Sequence, residues 1–129
     1  MQTENNKWLQ DDLQKIDKAD DLKISPLRED GTTHGTPTWI WAVVVNNDLY
    51  VRAYHGQNSR WYKSAIKQKA GRIHAAGMVK DVRFEKVQGN ISTQIDEAYK
   101  NKYKGSPYLS HMISDASIAA TIKIIPKEI

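Results

Sequence analysis

Residues 39–74 read WIWAVVVNNDLYVRAYHGQNSRWYKSAIKQKAGRIH, and the order of elements within them decides the fold. Residues 38–45 are apolar on both faces of an extended chain. Trp39, Trp41, Val43 and Val45 lie on one side, Ile40, Ala42 and Val44 on the other. A strand covered on both sides belongs in a barrel or at a subunit seam. Asn46-Asn47-Asp48 is a tight turn whose residues tolerate positive φ. The chain then returns through residues 49–54, with Leu49, Val51 and Ala53 on one face and Tyr50, Arg52 and Tyr54 on the other. Arg52 has two equally weighted readings, an outward arginine stacked on tyrosines or a ligand contact.

After a loop at residues 55–59, Ser59 or Asn58 is placed to cap a helix over residues 60–69. Its packing residues are Trp61, Tyr62, Ala65 and Ile66, and Gly71 follows its end. The first turn of a helix offers unpaired N–H groups and partial positive charge, and Arg60 adds a full one. Helix starts usually carry acids, and this one has none. The pattern suits an anion supplied by a ligand.

Working outward, residues 7–17 space Trp8, Leu9, Leu13 and Ile16 as a short amphipathic helix. Residues 20–25 alternate and stop at Pro26, a first strand. Residues 27–37 are polar, with two glycines and a closing proline, hence a loop. Residues 71–77 form a strand of small residues that lets a backbone or flat ligand approach closely, with Arg72 and His74 on one face. Val82 and Phe84 alternate with Asp81, Arg83 and Glu85 in a half-exposed strand over residues 78–87. Thr93-Gln94-Ile95-Asp96 resembles a capping box opening a helix that stops at Gly105. A short helix after Pro107 and a last strand over residues 118–126 complete the chain. Six strands in sequential antiparallel hairpins, with two to four flanking helices, point to a small mainly β barrel. The expectation is one domain over residues 1–129, with residues 1–19 as an N-terminal helical extension.

Composition narrows the function. The 129-residue chain has no cysteine, which removes disulfides, thiolate chemistry and cysteine-rich zinc sites, and a reducing cytoplasm is the expected home. No apolar run approaches the ~20 residues that cross a bilayer, so no membrane association is expected. A net charge of +4, with both signs interspersed, suits phosphate-bearing small molecules as well as nucleic acid. Four tryptophans and six tyrosines against one phenylalanine suggest a lined pocket or an interface. The four histidines, His34, His55, His74 and His111, show no metal-ligand spacing. No nucleophile elbow or phosphate loop occurs, and no metal site or catalytic base is assigned.

Residues 36–52, TPTWIWAVVVNNDLYVR, resemble the first long hairpin of flavin-binding split-barrel proteins related to pyridoxamine phosphate oxidase and the deazaflavin-dependent nitroreductases. The segments LYVRAYHGQNSRWYKSA, GRIHAAG, VRFE and DEAYKNKY are similar to a bacterial family of small uncharacterised proteins near that group. The resemblance implies a six-stranded antiparallel split barrel, a homodimer, and FMN or a deazaflavin as cofactor. It also implies a phosphate site built from Arg52, Ser59, Arg60 and Arg72, with Trp61 and Tyr54 as ring contacts. Where relatives carry a lysine-rich segment, this chain has residues 55–59. A flavin- or deazaflavin-dependent oxidoreductase is the leading reading. The alternatives are a non-catalytic binder of a phosphorylated small molecule and, behind it, a single-stranded nucleic-acid binder.

Overall fold

A computed structural model describes residues 8–19, 22–87 and 89–126. In chain order they form α1 (Gln10–Lys18), β1 (Lys23–Pro26), β2 (Thr38–Trp39), β3 (Ala42–Val45), β4 (Asp48–Arg52), a 3-10 turn (Gly56–Asn58) and α2 (Arg60–Gln68). Then follow β5 (Ala70–Ala75), β6 (Met78–Lys86), α3 (Ile91–Lys102), α4 (Leu109–Met112), α5 (Asp115–Ile118) and β7 (Thr121–Pro126). The strands make one sheet in the order β2-β1-β5-β6-β7-β4-β3, and every pairing is antiparallel.

The two edges of this sheet, β2 and β3, are consecutive pieces of one run separated only by Ile40 and Trp41. Laid flat, seven strands would hold their edges about 29 Å apart, yet three residue steps span at most about 11 Å. The sheet must therefore curl until its edges nearly meet. This also corrects the strand count. The expected second strand, residues 38–45, is broken, so six strands become seven, and five α-helices flank them where two to four were expected. The break has local causes. Ile40 N–H still donates to Leu22 O at 3.0 Å, on the β1 side. Beyond it the chain is bonded by side chains of α3: Tyr99 Oη donates to Trp41 O at 3.2 Å, and Lys102 Nζ donates to Ala42 O at 2.7 Å.

Inside the curl, Ile24, Leu49, Val51, Ile73, Val82, Ile122 and Ile124 are fully buried, joined by Leu13 and Ile16 of α1 and by Tyr62 and Ala65 of α2. Each large aliphatic side chain so buried contributes roughly 1.5–3 kcal/mol. Trp8 reaches into this layer, its Nε1 donating to Ile124 O at 2.9 Å. The outer face of β3 and β4 is covered as well, with Val43, Val45 and Tyr50 packed against Ile95 and Tyr99 of α3 and Met112 of α4. The two-faced apolarity of residues 40–45 thus has its explanation within one chain, in an interior and an outer helical layer.

Several expected boundaries moved. The helix expected at residues 7–17 runs Gln10–Lys18, with residues 1–7 outside the described residues. Asp20 and Asp21 of the expected first strand also lie outside them, as does Gln88. α2 ends on Lys69 in the left-handed region, φ 61°, and Gly71 sits inside β5. Ile118 closes α5, so the last strand begins at Thr121. The Thr93–Asp96 capping box does not open α3, which starts at Ile91 with Asn90 as N-cap residue and no side-chain cap.

Asp96 instead meets Arg52, the one charged side chain that is completely buried among the described residues. Arg52 Nη1 donates to the Asp96 carboxylate and to Met112 O at 3.2 Å, Nη2 to Ser92 O at 3.2 Å, and Nε to Thr121 Oγ1 at 3.1 Å. Its guanidinium carbon lies 5.4 Å from the Tyr99 ring centre. Burial pushes the Tyr99 hydroxyl far above its ordinary pKa, and the Arg52 charge opposes that rise. A buried charge is tolerable only when paired and hydrogen-bonded. Here the pairing ties β4 to α3, α4 and β7.

Two stability predictions follow from this packing. A Cβ at Gly71 would lie 2.6 Å from Ser25 O and 2.7 Å from Pro26 Cα, while one at Gly77 meets nothing within 4 Å. Gly71→Ala is expected to cost about 3 kcal/mol by overpacking and Gly77→Ala about 1 kcal/mol for its positive φ. Urea unfolding of the two variants should preserve that order. Arg52→Ala strands a carboxylate and two carbonyls and should cost about 4 kcal/mol, against about 2 kcal/mol for Asp96→Ala. The double variant should fall short of the sum. Full additivity would show that the pair is not coupled.

Candidate functional site

A cleft of about 430 Å³ opens where the curled sheet is broken. One wall is the broken segment itself, Thr38 to Trp41. The opposite wall is the end of β4 and the start of α2, and Met112 also lines the cleft. Five of the six residues expected at a ligand site line it: Arg52, Tyr54, Ser59, Arg60 and Trp61. Arg72, the sixth, does not. It stands on β5 opposite Ser25 and Asp81 and its Nε donates to Asp81 Oδ1 at 2.9 Å. The strand pairing that sets β5 between β1 and β6 places it outside this cleft.

Arg52 reaches the cleft with little to offer. Of the five N–H groups of a guanidinium, four are already donated to Thr121, Asp96, Met112 and Ser92. One Nη2 N–H remains, too few for a bidentate grip on a phosphate. Arg52 holds the cleft in place, and neither an outward stacked arginine nor a phosphate clamp describes it.

Arg60 differs in each respect. It is exposed at the first position of α2 and makes no ion pair among the described residues. Ser59 is the N-cap residue, extended at φ −62° and ψ 136°, and its side chain bonds no helix amide. The first turn has no acidic residue, and no carboxylate lines the cleft. Cationic charge, a hydroxyl and helix amides converge there with no internal anion.

The rings are held in fixed orientations. Tyr54 stacks on His111 with centroids 3.9 Å apart and planes 17° apart, and meets His55 edge-on at 5.1 Å. Trp41 stacks on Tyr103 at 3.9 Å and 3°. Trp61 is half-buried, and Trp39 stands 64% exposed at the cleft. The two-faced apolar pattern of residues 38–45 assigned Trp39 and Trp41 to core or subunit seam, and their place in this wall was missed. The available signal was two tryptophans two residues apart beside a proline-ended loop, more ring area than one strand interior needs.

A second cleft of about 520 Å³ adjoins the first, and Thr38, Arg60 and Trp61 line both. It adds Arg28, Thr36 and Ser64. Its loop is ordered by Asp30, which accepts from the Thr32 and Thr33 amides at 2.9 Å each and from Thr33 Oγ1 at 2.6 Å. These bonds, that of the Thr33 hydroxyl foremost, lower the Asp30 pKa from 3.8 to about 2. The folded-state pKa is depressed, so the contribution is present above pH 3.8 and is lost as pH falls towards 2. Among the described residues no three histidine, aspartate or glutamate side chains gather as a metal site, and no helix is long and apolar enough to cross a membrane.

Three solved structures share this fold at low identity. One is a putative pyridoxamine 5'-phosphate oxidase from Listeria innocua, with TM-score 0.61 and 8% identity over 92% of this chain and 90% of its own. Another is a conserved hypothetical protein from Mycobacterium tuberculosis, with TM-score 0.63 and 10% identity over 99% and 85%. The third is an FAD-binding protein from Mesorhizobium loti, with TM-score 0.50 and 14% identity over 95% and 91%. No curated protein matches the sequence. The resemblance read from residues 36–52 agrees with these neighbours in fold. The model of a family described as uncharacterised proteins conserved in bacteria (DUF2255) matches residues 12–124, and the chain belongs to that family.

Proposed function

We propose that the cleft between the broken strand and α2 binds a flavin-type cofactor, FMN-like or deazaflavin-like, and that the protein is an oxidoreductase using it. The observation that carries this reading is the convergence of Trp39, Trp41, Tyr54 and Trp61 with Arg60 on one cleft of about 430 Å³. Ligand pockets run from roughly 300 to 1,000 Å³ and are mostly apolar with a few placed polar groups. The fold likeness to a putative pyridoxamine 5'-phosphate oxidase and to an FAD-binding protein supports the same choice.

The residues fit such a group by chemistry. Trp61 and Trp39 offer indole surface to a flat ring, and Tyr54 is braced by His111. Arg60, the Ser59 hydroxyl and the first amides of α2 suit a phosphate. The bound cofactor would supply hydride transfer, and the protein supplies binding, orientation and a largely apolar enclosure. No side-chain nucleophile is required. His55 also lines the cleft.

Titration of the purified protein with FMN, followed by quenching of flavin or tryptophan fluorescence, tests the reading. Saturable binding is expected, weakened about tenfold by Arg60→Ala, equivalent to about 1.4 kcal/mol. Arg60 is exposed, so the thermal midpoint should barely move. Flavin binding without reduction by NADPH would leave a binding protein and remove the oxidoreductase. No uptake of FMN, FAD or deazaflavin would remove both.

A further inference from the structure

The two clefts differ in chemistry while sharing a boundary. Arg60 and Trp61, side by side at the start of α2, line both, together with Thr38. A ligand lying across this saddle meets the same guanidinium from either side. The first cleft is ring-lined. The second has one aromatic ring, Trp61, and adds Arg28, Thr36 and Ser64 beside the apolar Pro26 and Leu27.

The second cleft, like the first, is lined by no carboxylate, and it adds Arg28, which like Arg60 makes no ion pair among the described residues. The acids that follow Arg28 in sequence are engaged elsewhere. Glu29 lies 3.7 Å from Lys67 Nζ, and Asp30 accepts from Thr32 and Thr33. Arg28 is presented by an ordered turn, its N–H donating to Thr33 O at 2.8 Å and its carbonyl accepting from Gly31 N–H at 2.8 Å. Two guanidinium groups thus face adjoining clefts with Arg60 at the junction. A ring with one phosphate would occupy the first cleft and Arg60, leaving an equally roomy cationic cleft beside it.

We infer that the two clefts form one bipartite site, selecting a flat-ringed ligand whose tail carries a second anionic group beyond the first phosphate. The ring lies in the first cleft, the first anion at Arg60 and the further anion at Arg28. This rests on the flavin reading above. A dinucleotide such as FAD and a deazaflavin with an acidic oligopeptide tail share this chemistry, while FMN lacks it.

The test titrates the whole chain in parallel with riboflavin, FMN, FAD and a polyglutamylated deazaflavin, reading fluorescence. At least one long-tailed ligand should bind about tenfold or more tightly than FMN, and FMN more tightly than riboflavin. The tighter of the two identifies the source of the second anion. Arg28→Ala, at an exposed position, should shrink the long-tail preference to within about threefold, and Arg28→Lys should restore part of it. FMN binding as tightly as both long-tailed ligands, or a preference indifferent to Arg28→Ala, would overturn the bipartite site while leaving the flavin reading intact. Failure of all four ligands to bind would overturn both.

Discussion

The fold depends on one covalent constraint. Strands β2 and β3 are the opposite edges of a seven-stranded sheet and also neighbours in sequence, two residues apart. Strand pairing spreads the sheet, the peptide chain pins its edges together, and curling satisfies both. The curl creates an interior that Leu49, Val51, Ile73, Val82 and Ile124 fill. The two edge strands are short, two residues in β2 and four in β3. The two residues that cannot pair on both sides, Ile40 and Trp41, become a wall of the cleft. The candidate site sits at the defect in the sheet, where backbone regularity gives way and side chains from α3 make up the lost hydrogen bonds.

Arg52 fastens the outer layer to this curled sheet. Nothing apolar at that position could reach Ser92, Asp96, Met112 and Thr121 at once. A planar group with five directed donors is suited to join a strand to three other elements, and its burial makes the geometry demanding. Because Met112 lines the cleft, this network also shapes the site without supplying its ligand contacts. Arg60, eight positions after Arg52, takes the opposite part: exposed, without an ion pair among the described residues, and set at a helix start.

Much of this was legible before folding. Alternation placed Leu49, Val51 and Ala53 together in the interior and Val43, Val45 and Tyr50 in the outer layer. The Asn46-Asn47 turn has the positive φ values its residues permit, 52° and 69°. The acid-free helix start gathered Ser59, Arg60 and Trp61, which local spacing alone brings together. Arg52 and Arg72 were harder. Both sit on strands beside small or aromatic neighbours, and local pattern treats them alike. Their partners decide their roles: Asp96 lies 44 residues from Arg52, whereas Asp81 faces Arg72 across one hairpin. The small residues of β5 proved to admit a protein backbone at Gly71, between Ser25 and Phe84.

By itself, then, the order of residues determined what depends on neighbours along the chain: the period of the strands, the chirality of the turns, the amphipathic helices and the cluster at the start of α2. Each follows from local sterics and the two repeats of helix and strand. Tertiary structure alone decided the break at Ile40 and Trp41, the burial of Arg52, the exile of Arg72 and the junction of two clefts at Arg60. Those depend on sheet closure and on which distant side chain arrives opposite a given one. Pairing across the fold is a property of the closed sheet, and no local repeat encodes it.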